Sequence, residues 1–449
     1  MRPVTLIRLP VAALLASVFL STGGSAQRGR QDLQPRTPQP LHEVNRVAGP
    51  EAARVLVIRG ATVIDGRGGP AIRDAAVVVR GERIAAVGPR TEVTIPPNAE
   101  VFDASGLTLV PGLIDSHFHI DGDDGLPALY LTHGITSVRD PGQWIEAYDM
   151  ARKSGAPVPR LFLCGPHLDS PPPAYPADSF IVRDAEETRR AVNRFADEGA
   201  SAIKVYFRLP LALIRVAVEA AHARGLPVTS HLEIVDAGDA IRAGVDGVEH
   251  ATSFGTALLP LRDAEKYRQA VLADNNARVQ GRYQAWNTID FDTARARALI
   301  ELIVARGTVI SPTLAVFERQ TGDKDATAIQ VQAFKQMEAF VGRVHRAGAH
   351  VVVGSHSDVP HAERGWAYHR ELELLVDAGL SPMQALMAGT AENARFFRVA
   401  NRLGRVEAGL LADLVLVNGD PLENISNMRR VARVMLNGTW VAGSGGGQP

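Results

Sequence analysis

Two histidines separated by a single residue, His117 and His119, end an apolar run that is typical of a buried strand. Because successive side chains on a strand point to opposite faces, both imidazoles lie on one face, about 7 Å apart along the chain. Two neutral imidazoles placed in this way can share one divalent cation. The spacing alone also fits two polar residues that leave a sheet for solvent, so the interpretation depends on the rest of the chain.

Three later strands also carry a metal-ligating or reactive side chain. Lys204 lies inside an apolar run, and His231 and His250 each end one. A lysine that points into an apolar interior must be paired, neutral or modified, because an unpaired buried ammonium is costly. A neutral amine, which burial favours, can take up carbon dioxide to form a carbamate that bridges two metal ions. The alternative for Lys204 is a structural salt bridge.

Further polar residues share these strands. Tyr206 lies two residues beyond Lys204 on the same face, where it could bind a substrate carbonyl or its oxyanion, or simply pack in the interior. His356 and Asp358 share a face of the last candidate strand, and either could turn towards the metals. Arg139 could bind a substrate carboxylate, although a pair with an internal acid is expected.

The elements that would position these residues alternate between strands and amphipathic helices. Eight candidate strands end near His119, Arg139, Gly165, Tyr206, His231, His250, Pro312 and Asp358. Such an alternation predicts an α/β fold with a (β/α)₈ TIM barrel, here over residues 109–403, whose catalytic groups lie at the C-terminal strand ends. Two long connections, after the third strand and over residues 253–292, should lie on the same face.

Short apolar runs separated by glycines occur on both sides of this region. They predict one small, discontinuous β-sandwich domain built from residues 55–108 and 404–443. Residues 27–54 are rich in Arg, Gln and Pro and are expected to form a flexible linker. Residues 1–26 have the charged start, apolar run and small-residue site of a signal peptide, with an uncleaved anchor as the alternative. The protein is therefore expected to be secreted or periplasmic.

Composition restricts the partners. A net charge of -1 gives no electrostatic argument for nucleic acid or for an acidic membrane surface. The hydrophobic share of 46% allows a sizeable core, and Cys164 is the only cysteine, so no intrachain disulfide can form. The expected partner is a small-molecule or dipeptide-like substrate, with no membrane contact beyond the signal anchor, and homo-oligomerisation stays open.

These ordered motifs together resemble the amidohydrolase superfamily, in particular its imidazolonepropionase-like and metal-dependent dipeptidase-like branch. The matching segments are residues 110–119, 134–142, 203–205, 244–250, 370–382 and 404–415. The resemblance covers nearly everything after about Val55. It implies a site of two divalent ions, with zinc as the expected metal.

In that family one ion would be held by His117, His119 and a strand-eight carboxylate, and the other by two histidines. Those two are His231 and His250, and a carboxylated Lys204 together with a hydroxide would bridge the ions. The strand-eight aspartate of the family moves the proton from the attacking water to the leaving amine. Here Gly354-Ser355-His356 stands where the family usually reads Gly-Thr-Asp, so strict register puts His356 in the place of the aspartate.

A local bulge could bring Asp358 into that place instead. We favour Asp358 as ligand and base, with His356 as the substitute.

The expected function is an exported, metal-dependent amidohydrolase that cleaves a peptide-like C–N bond as a dipeptidase or carboxypeptidase. Lys204 favours this over the mononuclear cyclic-imide hydrolases and deaminases of the family. Hydrolysis of cyclic amides or other non-peptide C–N bonds, and a catalytically silent metal- or ligand-binding barrel, are the alternatives.

Overall fold

The computed structural model describes residues 39–443. The predicted signal peptide and the first part of the predicted linker lie outside the described residues. Within the described part, no helix is both long and apolar enough to cross a bilayer. The strands, numbered in chain order, are β1 Val55–Val63, β2 Ile72–Arg80, β3 Arg83–Pro89, β4 Glu100–Asp103, β5 Leu107–Pro111, β6 Leu113–Asp115, β7 Ile135–Asp140, β8 Arg160–Leu163, β9 His167–Asp169, β10 Ser179–Ile181, β11 Ile203–Val205, β12 Val228–Ser230, β13 Gly247–Glu249, β14 Val309–Ser311, β15 Leu414–Asn418, β16 Val431–Leu436 and β17 Thr439–Trp440.

Helices fill most of the chain between the strands from β6 to β15. The α-helices within residues 39–443 are Leu126–Thr132, Asp149–Lys153, Ala185–Asp197, Leu211–Ala223, Ala237–Ala243, Gly255–Leu258, Leu261–Ala273, Ala277–Asn287, Ala294–Arg306, Leu314–Phe317, Ala328–Arg346, Ala367–Asp377, Pro382–Ala388 and Ala391–Phe396. Side chains fix several of their starts. Asp184, for example, accepts hydrogen bonds from the backbone of Glu186 and Glu187 at the start of one helix.

The two ends of the chain meet in one sheet of eight strands. Its order is β17-β16-β15-β5-β1-β2-β3, and β4 also pairs with β1. β15 runs antiparallel to β5, with Val415 opposite Val110. The predicted sharing of one β-domain by both ends is therefore correct, but the hydrogen-bonded strands form a single sheet. The two separate layers of a sandwich are shown only in part.

The strands of the middle region run parallel and fall into two groups. β6, β7 and β8 form a sheet of three strands, and β10, β9, β11, β12, β13 and β14 form one of six. One backbone hydrogen bond, from Ser201 N to Leu163 O (2.7 Å), links the two groups directly. The predicted eighth strand is present only as an isolated bridge between Val351 and Ile310 of β14, and Val353 O in the same segment accepts from Ser116 N (3.0 Å) just after β6. The α/β alternation is confirmed, although the paired strands do not close into one continuous ladder.

Two segments differ from their prediction. In the second half of the predicted linker, the amides of Leu41 and Val44 donate to the carbonyls of Phe397 and Leu161, and Leu41 is buried. This part is therefore attached to the α/β part of the fold and is not a free tether, because its apolar side chains and backbone find partners there. The predicted connection 253–292 folds into short helices, among them Leu261–Ala273 and Ala277–Asn287.

Candidate metal centre

His117 and His119 lie just beyond β6, and their Nε2 atoms are 3.1 Å apart. The carboxylate of Asp115 accepts a hydrogen bond from the backbone N–H of His117 (3.0 Å) and one from Ser355 N (2.9 Å), which ties the end of β6 to the segment that carries His356. A Cβ on Gly354 would lie 2.6 Å from Cβ of His117. Only glycine permits this close approach of the two segments.

The expected histidines of the fifth and sixth strands face the same space. The ring centroids of His231 and His250 are 4.4 Å apart, and His250 lies 4.6 Å from His117. Burial lowers the pKa of His231 to about 4 and holds the pKa of His117 and His250 well below the usual value. The imidazoles are therefore neutral at pH 7, which is the form that binds a metal ion.

Supporting residues orient two of these rings. Nδ1 of His250 lies 2.7 Å from the hydroxyl of Thr313, which leaves Nε2 as the free ligand atom. Nδ1 of His119 lies 3.4 Å from Oδ1 of Asp140. Burial lowers the pKa of His119, but the Asp140 carboxylate outweighs burial and the pKa is raised overall.

The structure separates the two candidates on the eighth strand. His356 lines the central cavity and groups with His117 and His119, their ligand nitrogens all within 4.8 Å of one another. Asp358 is exposed and does not line the cavity. The preference for Asp358 therefore does not fit the geometry. Both His356 and Ser357 adopt a left-handed backbone, with φ of 62°. The imidazole lies at the position that strict register gave it, and the bulge that would have brought Asp358 into the site does not do so.

A buried cluster of charges forms the floor of the site. Lys204 contacts the carboxylate of Glu249, and the guanidinium of Arg139 donates to the same carboxylate. All three side chains are at most 3% exposed. Arg139 thus has the internal acid partner that was expected, which is Glu249. Burial holds the pKa of Lys204 well below its usual value, and the nearby Arg139 lowers it further.

Sequence reasoning missed Glu249. Strict alternation on a strand places Glu249 and His250 on opposite faces. In the structure, His250 has a φ of 68°, which turns both side chains towards the site. Oε2 of Glu249 lies 3.4 Å from Nδ1 of His117. The only sequence feature that pointed to Glu249 was its position next to His250, a candidate metal ligand.

The donor set fits divalent metal ions. His117, Glu249 and His250 form a second group of potential ligands, again with atoms within 4.8 Å of one another. Nδ1 of His117, Nζ of Lys204 and Oε2 of Glu249 are buried, and Oε2 of Glu249 is the charged neighbour of both nitrogens. None of the three atoms makes a hydrogen bond of regular geometry, so a bound cation could satisfy them better than they satisfy one another. Imidazole and carboxylate donors suit zinc and also manganese, iron or cobalt.

The ligands face a cavity of about 270 Å³. Its remaining lining includes Tyr206, His167, Arg278 and Arg282. Burial raises the pKa of Tyr206, so its hydroxyl stays protonated and can donate a hydrogen bond. His167 was not predicted, because the third strand was expected to end near Gly165. Its ring stacks 4.0 Å from that of Tyr206.

Comparison with known proteins gives the family. The model of the Amidohydrolase family matches residues 108–441. The chain belongs to this family. The amidohydrolase is 38% identical to an N-acyl-D-aspartate deacylase of Alcaligenes xylosoxydans xylosoxydans over 157 residues, which is 33% of this chain and 29% of that protein. It spans less than a third of the curated relatives it matches.

Two solved structures share the fold of the amidohydrolase. A Xaa-Pro dipeptidase with bound methionine in the active site is 21% identical and has a TM-score of 0.67, covering 86% of this chain and 99% of that one. The ochratoxinase of A. niger is 20% identical, also with a TM-score of 0.67, covering 87% and 96%. At these identities the likeness shows the fold alone.

Proposed function

We propose that this amidohydrolase is an exported, metal-dependent hydrolase that cleaves an amide C–N bond in a dipeptide-like substrate. The observation that carries the proposal is the convergence of His117, His119, His231, His250 and His356 with Lys204 on one cavity. A purely structural role does not explain five imidazoles around one space, four of which have a pKa lowered by burial. Family membership supports C–N bond hydrolysis, and a (β/α)₈ barrel is the scaffold that the parallel strands favour.

The residues present can hold two divalent ions. His117 and His119 would hold the first ion with His356 in reach, and His231 and His250 would hold the second. When bound, such ions lower the pKa of a water molecule and polarise the scissile carbonyl. Zinc is the first metal to test. A carboxylated Lys204 or, if the lysine is unmodified, the carboxylate of Glu249 would complete the set of ligands.

The remaining steps fall to the protein's own side chains. Tyr206 presents a protonated hydroxyl to the cavity, where it can donate to the oxyanion that forms as the carbonyl is attacked. His356 is a neutral imidazole that can accept a proton and pass it to the leaving amine. This assignment moves to His356 the role that the sequence favoured for Asp358.

Separate replacements of the two strand-eight residues test the assignment. His356→Ala should reduce kcat at least about 100-fold, the usual size of a lost general acid–base group, whereas Asp358→Ala should keep it within a few-fold. The substrates are a panel of dipeptides, N-acyl amino acids and cyclic amides. A large loss in Asp358→Ala with an active His356→Ala would overturn the assignment.

Metal content tests the centre itself. The purified mature protein should contain two metal ions per chain, and Lys204→Ala should lose one of them. An unchanged metal count would rule out the carbamate bridge and leave Glu249 as the bridging group. Two bound metals without hydrolysis of any substrate in the panel would support a catalytically silent barrel.

Export is tested by fractionating cells that produce the full chain, and cytoplasmic retention of the full chain would contradict it.

A further inference from the structure

Arg278 is a buried cation without an acidic partner within ion-pair distance among the described residues. It is 4% exposed and lines the cavity. Its guanidinium donates to the hydroxyl of Tyr175 (2.8 Å) and to the carbonyl of Asn275 (3.3 Å), while Nε has no partner. Other buried arginines, such as Arg139 and Arg160, pair with carboxylates. A buried guanidinium without such a pair is costly unless an anion binds it.

Two aromatic rings hold this guanidinium in place. Its central carbon lies 5.3 Å from the ring centroid of Tyr175 and 5.2 Å from that of Phe207. Stacking of this kind limits the rotation of a guanidinium and leaves the N–H groups, which lie in its plane, able to donate hydrogen bonds. The side chain is therefore pre-organised to receive a planar anion.

A second arginine increases the positive charge on this side of the cavity. Arg282 follows one helical turn after Arg278 and lies 3.6 Å from the carboxylate of Glu233. Glu233 also accepts a hydrogen bond from Tyr267 and lies 3.4 Å from Nε2 of His231. The carboxylate of Glu233 thus contacts both Arg282 and the candidate metal ligand His231. It makes no ion pair with Arg278.

The other acids near the cavity do not cancel this charge. Asp121 lines the cavity beside His119, together with Asp178. The positive charge of Arg278 lowers the pKa of Asp169, but burial of Asp169 has the larger effect and raises this pKa to about 7. Its Oδ1 accepts the backbone N–H of Arg208 (2.9 Å), and it forms no ion pair with Arg278.

We infer that Arg278 binds a free carboxylate of the substrate, next to the amide that the metal centre cleaves. The inference rests on the proposed function and narrows it: the substrate is an amide whose amine part is an amino acid with a free α-carboxylate. Guanidinium and carboxylate form a planar, charge-assisted pair, and the aromatic faces of Tyr175 and Phe207 hold the guanidinium for it. A cavity of about 270 Å³ favours one or two residues over a longer peptide.

Kinetics with matched substrates test the carboxylate. Glycyl-dipeptides covering all amino acids are compared with their C-terminal amides. The wild-type protein should prefer the free acid, and Arg278→Met should reduce kcat/KM for the acid about 100-fold, mainly through KM, with little change for the amide. Arg278→Lys should restore part of the loss. Arg262→Met, an exposed arginine nearby in the chain, is the control.

A measurement of ligand binding tests the role of Arg278 without requiring hydrolysis of a substrate. Thermal shifts of the wild-type and Arg278→Met proteins are measured with each free amino acid and with its amide. At least one amino acid should raise Tm when its amide does not, and Arg278→Met should abolish that difference. Equal shifts for acid and amide, or a difference that survives in Arg278→Met, would overturn the inference. Absence of hydrolysis together with an Arg278-dependent shift would instead count against the proposed function alone.

Discussion

The hydroxyl of Thr313 lies 2.7 Å from Nδ1 of His250, so Nε2 is the nitrogen that remains available to bind a metal ion. We expect Thr313→Val to lower the metal affinity of the protein about 10- to 100-fold, because the ring loses its fixed orientation and tautomer. A chelator titration of the loaded protein measures this affinity. Thr308→Val is the matched control, since the hydroxyl of Thr308 is buried without a hydrogen-bond partner. An equal loss in both variants would show a general packing effect.

Residues on regular strands were predictable from their period, and residues at irregular backbone were not. His117, His119, His231 and His250 all lie where alternation and strand ends placed them, at one cavity. Glu249 shares the site with His250 because His250 adopts a left-handed backbone, which no two-residue period encodes. Strict register already placed His356 in the position of the family's aspartate, and Asp358 was favoured because the family carries a carboxylate there.

The helix Ala367–Asp377 buries a histidine that does not line the metal-site cavity, His369, which is 1% exposed. Burial holds the pKa of His369 well below its usual value, and the charges of Arg429 and His133 lower it further. The unfolded chain binds a proton at this residue below about pH 6.5, but the folded protein does not, so stability is lost as the pH falls.

Removal of this imidazole should reduce the acid sensitivity. Between pH 7.5 and pH 5 the free energy of unfolding of His369→Gln should fall by about 2 kcal/mol less than that of the wild type. Urea unfolding at the two pH values measures the difference. His350→Gln, at a side chain that is 41% exposed, controls for the replacement itself. A pH dependence identical to that of the wild type in His369→Gln would refute the expectation.

Long, capped helices were the most predictable elements. The helix Ala185–Asp197 begins at an Asp184 cap and has a clear apolar period, and both signals act locally. Most inner strands are only three residues long, and β9 and β10 were missed altogether. The helices between 253 and 292 had weak apolar patterns, so the sequence did not reveal that they carry Arg278 and Arg282.

At the scale of the whole molecule, a buried ion pair joins the α/β region to the sheet formed by the two chain ends. The guanidinium of Arg160, on β8, donates to both oxygens of Asp413 (2.8 and 3.1 Å) and to Asn437 (2.9 Å). Arg160→Ala should lower the free energy of unfolding by about 3–5 kcal/mol, because it leaves Asp413 buried and unpaired.

Urea unfolding tests this expectation against a surface pair. Arg242→Ala removes an ion pair with Asp239 in which both side chains are more than half exposed, and should cost less than about 1 kcal/mol. Similar small losses in both variants would mean that the Arg160 pair does not stabilise the junction. The sequence predicted that the two ends meet, since both carry short alternating strands, but gave no sign of this link.

The pairing of β5 with β15 also affects how the protein is made. Leu107 lies opposite Asn418, so one edge of β5 stays unpaired until β15 has been synthesised, about 300 residues later. Loop closure over such a length slows folding, and until it happens an apolar strand edge is open to other chains. Nascent or truncated chains that stop before β15 should therefore aggregate, and a chaperone that covers β5 would protect them until the last strands emerge.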